Sequence, residues 1–164
     1  DLIANIKDHI ENNFDYNSIR QTLSESGVPN SILYVNEYLY ALEQGKEYNL
    51  EGGIDIEHIM PQSGLNRENI MADAGCSSQE EFQEYAEKLG NKILLESVIN
   101  RGIGDAWFRT KKENNITSGR GYIGSRFPIA HSLVNYDSDT WTKNYIDKAT
   151  EKAAERIANF VFSK

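Results

Sequence analysis

The stretch Ile54-Asp55-Ile56-Glu57-His58-Ile59-Met60-Pro61-Gln62-Ser63 decides how this chain folds. It alternates apolar and polar residues as a half-buried strand does. Pro61 offers no N–H to a ladder, so the strand is expected to end near His58. Gly52-Gly53 precedes the stretch and marks a change of composition. Downstream, Lys92-Ile93-Leu94-Leu95-Glu96 reads as a second short strand. Between the two, a polar loop runs from Gln62 to about Ser77. Ser78-Gln79-Glu80-Glu81 then forms a capping box before a helix bearing Phe82, Tyr85, Ala86 and Leu89, closed by Gly90. Asn100-Arg101-Gly102-Ile103-Gly104 reads as a flexible turn, after which Asp105 caps a helix carrying Ala106, Trp107, Phe108 and Lys111.

Helices flank this centre on both sides. Leu2, Ile3, Ile6, Ile10 and Phe14 recur at helical spacing and lay down one apolar stripe. Ile19 and Leu23 predict a second helix, stopped by Gly27 and Pro29. A third, capped at Asn30 or Ser31, is expected to bury Ile32, Val35, Leu39 and Leu42. Residues 113–124, rich in Gly, Ser and Asn, read as a loop, and residues 125–135 as a short helix interrupted by Pro128. In the last helix Trp141, Tyr145, Ala149, Ala153, Ile157 and Val161 repeat every four residues behind a Ser138-Asp139-Thr140 cap. The predicted architecture is one mostly helical α+β domain over residues 1–164. Residues 1–50 are helical support, 51–115 the core, and 116–164 a second helical support.

With 164 residues, the chain is long enough to bury a core of its own. Its single cysteine, Cys76, excludes an intrachain disulfide and a four-cysteine zinc cage and suits a reducing, cytoplasmic setting. No apolar run is long enough to span a bilayer. Asp1 opens no secretory leader, and a start without Met is expected of an excised fragment. The net charge of -8 argues against a nucleic-acid partner, yet the charge is segregated. Between residues 101 and 127, Arg101, Arg109, Lys111, Lys112, Arg120 and Arg126 face only Asp105 and Glu113, a basic stripe on an acidic body.

The chain has three histidines. His9 and His131 sit in amphipathic or apolar helical stretches and read as structural. His58 differs, because it stands where a strand breaks off beside Asp55 and Glu57. An acidic neighbour makes an imidazole more basic, and a carboxylate is a hard oxygen ligand suited to magnesium.

The ordered set Ile54 to Ser63, Gly90-Asn91-Lys92-Ile93-Leu94-Leu95 and Asn100-Arg101-Gly102 resembles the histidine-asparagine-histidine (HNH) nuclease motif in its ββα-metal form. It is similar to the HNH domain of RNA-guided DNA nucleases. It resembles more closely the carboxy-terminal nuclease domain of GmrSD-type modification-dependent restriction enzymes and their phosphorothioate-sensing relatives. Phe108 to Lys111, Tyr122 to Ser125 and Trp141 continue that pattern in order. The resemblance implies a ββα-metal core of two short strands and a helix, and a divalent cation, magnesium or manganese.

It further implies that His58 is the general base that activates water and Glu57 an acidic metal ligand, with Asp55 as the alternative. Asn100 becomes the second metal ligand, Asn91 holds the site's loop or the imidazole, and Lys111 sits near phosphate. The third motif position is Asn100, where the motif's name expects His. One cation and one imidazole together cover the needs of phosphodiester hydrolysis. The implied function is a DNA endonuclease acting as effector of a restriction or anti-phage defence protein, with an amino-terminal NTPase sensor domain in the same full-length protein. Two alternatives are a catalytically idle helical module that binds DNA or protein, and a nuclease directed at RNA.

Overall fold

A computed structural model of the chain describes residues 1–113 and 120–162, the side chains at positions 3 and 7 excepted. The fold is α+β and mostly helical. In chain order it runs α1 (Leu2–Asn13), α2 (Tyr16–Ser24), α3 (Ser31–Glu43), β1 (Ile54–His58), α4 (Arg67–Ala74), α5 (Gln79–Ala86), β2 (Lys92–Glu96), α6 (Ser97–Ile103), α7 (Phe108–Lys112), α8 (Pro128–Ser132) and α9 (Lys143–Val161). Among the described residues, no helix is long and apolar enough to cross a membrane.

The two predicted strands form an antiparallel pair in which Ile54 faces Glu96, Ile56 faces Leu94 and His58 faces Lys92. They are joined through α4 and α5 instead of a tight turn, and α6 follows β2 directly, giving the order strand, strand, helix. Lys92 to Leu95 are buried on both faces, as the core strand of a helix-covered sheet must be. The predicted turn at 100–104 is helical up to Ile103 instead. Ile103 is 3% exposed and Ile99 packs on the core, so burial of this i, i+4 pair outweighs the roughly 1 kcal/mol that Gly102 costs in a helix. Gly104, at φ +51, then terminates α6.

Three other boundaries differ from expectation. Residues 67–74 were predicted as loop but form α4, whose Ile70 and Ala74 are buried and whose end is capped by Gly75 at φ +84. Its few apolar residues leave a weak periodic signal. The α7 helix starts at Phe108, later than an Asp105 cap implies. In α9 the cap is Thr142, whose Oγ1 accepts from Tyr145 N, and Trp141 lies just before the helix. Of the loop expected at 113–124, positions 114–119 lie outside the described residues, while Tyr122–Gly124 forms a short helical turn.

The support helices reach the centre through close contacts. On α9 the buried face is Ile146, Thr150, Ala153, Ala154, Ile157 and Ala158, and its small residues admit the turn Leu89–Asn91 against the helix backbone. Gly90 N donates to Thr150 Oγ1 at 2.9 Å, and a side chain at Gly90 would collide with the Ile146 carbonyl and Thr150 N. The Trp141 indole N–H donates to Gly90 O.

On α3 the expected face is rotated. Val35 and Leu42 are exposed, whereas Leu33, Asn36, Glu37, Leu39 and Ala41 are buried. The helix is apolar almost all round, so periodicity alone selects no face. Glu37 Oε1 accepts from Ile129 N at 3.0 Å, and Oε2 has no partner. Burial pushes the Glu37 carboxyl up to about 7.

This carboxyl links α3 to pH. A raised acid pKa makes the fold prefer the protonated form, so the contribution is full below the unfolded value of 4.5 and is lost as pH rises through about 7. The span corresponds to about 3 kcal/mol. Urea unfolding at pH 5 and pH 8 is expected to show stability falling with pH, and Glu37→Gln to flatten that slope. An equal slope in both proteins would contradict it.

Candidate active site

The strand end is clamped from inside. Glu57 points into the core, 4% exposed, where its Oε1 accepts from Lys111 Nζ at 2.5 Å and from the Tyr122 hydroxyl at 2.7 Å. Burial, and then the charge of Glu57, push the Tyr122 phenol well above its ordinary range. Lys111 is fully buried and also donates to His58 O at 2.9 Å and Ile59 O at 3.3 Å. The ammonium therefore holds the backbone on both sides of the His58–Ile59 peptide. Lys111 thus lies in the interior, where its three acceptors compensate the burial of its charge.

Asn91, also fully buried, holds the next residues. Its Oδ1 accepts from Met60 N at 2.7 Å, while Nδ2 donates to Met60 O at 3.0 Å and Ala86 O at 3.1 Å. The side chain pairs with the Met60 backbone much as another strand residue would, fixing the loop that leads into Pro61.

Alternation turns His58 away from Glu57, and the two can border one cleft because β1 ends at His58. Its side chain is 24% exposed, and Nε2 lies 3.1 Å from Glu87 Oε1. Gln62 Nε2 donates to the same oxygen, and Lys92 Nζ donates to Glu87 Oε2 at 3.2 Å. Burial raises the Glu87 carboxyl, but hydrogen bonds from Lys92 and His58 outweigh it and hold the group below its ordinary value. Sequence reasoning missed Glu87. The available signal was the strand register, which sets Lys92 beside His58.

Asp55 and Asn100 meet across β1 and α6. Asp55 Oδ1 accepts from Ser97 Oγ at 2.8 Å, and Oδ2 from Asn100 Nδ2 at 3.1 Å. The Ser97 bond, then the Asn100 bond, lower the Asp55 carboxyl below its ordinary value. Each Asp55 oxygen accepts one of these bonds, and the Asn100 amide nitrogen is committed to Asp55, which leaves Asn100 Oδ1 as the amide's acceptor.

Glu57, His58 and Asn100 line one open cleft together with Pro61, Gln62, Ser63 and Asp105. Among the described residues no donor binds Glu57 Oε2. One carboxylate oxygen and one amide oxygen are hard donors that fit magnesium while keeping positions for water and a phosphate. Among the described residues no group of three or more His, Cys, Asp or Glu gathers as a metal cage. The donor set is therefore a sparse one that suits a shared cation. Asp55 stands behind Asn100 as its orienting partner.

The chain has known relatives. The family described as GmrSD restriction endonucleases, C-terminal domain, matches residues 6–156. The chain belongs to that family. A DNA repair and recombination protein RadB from Methanococcus maripaludis (strain C7 / ATCC BAA-1331) is 27% identical over 96 residues, 57% of this chain. The match spans 45% of that RadB's own length. No solved structure matches.

Membership of the GmrSD family ties the chain to restriction endonucleases. The basic residues expected to meet nucleic acid differ in burial and in partners. Lys111 is buried, and Lys112 Nζ donates to the Tyr136 and Ser138 carbonyls, each at 2.7 Å, with its ammonium over the Phe108 ring. Arg126 ties strand to loop by donating to the Asn49 and Glu51 carbonyls beside Glu96. Arg109 is 66% exposed between Glu113 and Asp139. Arg101 and Arg120 are exposed, and Arg101 lies near enough to Asp55 to help lower its carboxyl. The expected stripe is thus not one continuous free face: half of it ties the fold together.

Proposed function

We propose that this GmrSD C-terminal domain is a metal-dependent HNH-type DNA endonuclease. The observation that carries the reading is that Glu57, His58 and Asn100 open onto one cleft. Glu57 Oε2 and Asn100 Oδ1 would hold the cation, with Asp55 fixing the Asn100 amide through its nitrogen. A magnesium or manganese ion held there supplies positive charge to the phosphate and the departing oxygen. His58 takes a proton from a water whose oxygen attacks phosphorus, and the bond to the departing oxygen breaks. Lys111 and Asn91 keep the His58 backbone and the following loop in place while this happens.

With Arg101, Arg109, Arg120 and Arg126 as the exposed cations of the stripe, the domain binds DNA weakly and with strong salt dependence. Targeting then falls to an NTPase sensor domain of the same full-length protein, acting in cytoplasmic defence against foreign DNA.

The test uses the full-length protein, so that its sensor is present, on supercoiled plasmid and on RNA of similar length, with magnesium, manganese or chelator. The reading expects metal-dependent cleavage of DNA, none of RNA, and none with chelator. Cleavage of RNA alone would move the substrate class. Plasmid binding without cleavage, unchanged by chelator, would instead make this an idle binding module.

A further inference from the structure

We infer that Glu87 is the positioning residue for His58, fixing the orientation and tautomer of its imidazole. The inference rests on the reading of His58 as the base. Glu87 is the C-cap residue of α5, its N–H bonded to Gln83 O, so its backbone is anchored. Its Oε2 is held by Lys92, whose ammonium is 3% exposed and also donates to Asn30 Oδ1 at 3.1 Å. The other oxygen, Oε1, is shared by Gln62 Nε2 and His58 Nε2. The carboxylate is thus locked at one end by a buried cation and presents its other end to the ring.

An ionised carboxylate only accepts hydrogen bonds, so His58 Nε2 carries the proton and donates it to Glu87. The lone pair is then on Nδ1, the nitrogen free to receive a proton from water. A carboxylate behind an imidazole holds the ring in one orientation and one tautomer, as orienting carboxylates do in hydrolase triads. The proton balance is simple: it leaves water for Nδ1, while the Nε2 proton stays on the ring.

Replacing the acceptor with an amide should reverse the arrangement. In Glu87→Gln, Lys92 claims the amide oxygen, the NH2 group faces the ring, and the proton is driven to Nδ1. With the full-length protein at saturating magnesium, kcat for plasmid cleavage is expected to fall about 100-fold with KM within about twofold of the parent. Glu87→Asp, which keeps the charge, should recover part of the loss, and thermal unfolding should show both variants folded. Unchanged kcat in Glu87→Gln, or a rise in KM alone, would overturn the inference. Nitrogen-15 spectra of the histidine rings give a readout without activity. The His58 ring is expected to be protonated at Nε2 in the parent and at Nδ1 in Glu87→Gln. A parent ring protonated at Nδ1 would overturn the inference even if the enzyme cuts DNA. Should no cleavage occur in any form, the nuclease reading fails by itself and the ring spectra still decide the role of Glu87.

Discussion

Replacing His58 by alanine is expected to lower the rate of plasmid cleavage by about 100- to 10,000-fold, the range supplied by a positioned general base. The loss arises in the chemical step and not in folding. His58 is partly exposed, and after its removal Glu87 keeps Lys92 and Gln62 as partners, so no buried group is stranded. The variant should therefore melt close to the parent and bind plasmid equally well. His9 and His131 are both exposed, stand on α1 and α8, and do not line the cleft. Their alanine variants should cut at the parental rate. Gel assays of nicking alongside thermal melts separate the two effects, and a His58→Ala protein that cuts normally would remove the base from the scheme.

The second large effect concerns stability. Lys111→Met is expected to cost about 3–5 kcal/mol, because it strands a buried carboxylate whose remaining partner is the Tyr122 hydroxyl. It also strips a donor from the His58 and Ile59 carbonyls. Tyr122→Phe removes one hydrogen bond to a charged acceptor and should cost less, about 1.5–3 kcal/mol. Adding Glu57→Gln to Lys111→Met removes the stranded charge and should restore part of the loss in stability, though not activity. Urea unfolding of the four proteins checks the order. A Lys111→Met protein within 1 kcal/mol of the parent would mean that the clamp is not what orders the strand end.

The residues that could be read in advance were those whose signal is local. Alternation from Ile54 to Glu57 and the apolar run Ile93-Leu94-Leu95 gave both strands, and Pro61 located the stop. Asn91 pairs with the Met60 backbone. What could not be read depends on partners far along the chain. A lysine at a helix end ordinarily projects into water, and nothing near Lys111 announces that Glu57, 54 positions earlier, will draw it inside. Glu87 is one more acid at the end of a polar helix, and only the register of β1 against β2, which puts Lys92 and His58 side by side, singles it out. Asp55 and Glu57 were interchangeable as ligands on the page. Their hydrogen bonds differ: each Asp55 oxygen accepts one, whereas both donors to Glu57 meet Oε1. Gly102 disguised α6, whose helical form rests on burial of Ile99 and Ile103 and not on propensity.

The central claim is that Glu57, His58 and Asn100 form one cation-dependent hydrolytic site, and its most direct test is the nicking rate of the full-length protein as magnesium is raised. Three proteins suffice: the parent, Asn100→Ala and His58→Ala. A lost ligand weakens the cation's hold, so Asn100→Ala should need about 10- to 100-fold more magnesium and then regain rate. A lost base is not restored by metal, so His58→Ala should stay slow at every concentration. An unshifted magnesium midpoint in Asn100→Ala, or parental rates in His58→Ala, would contradict the account.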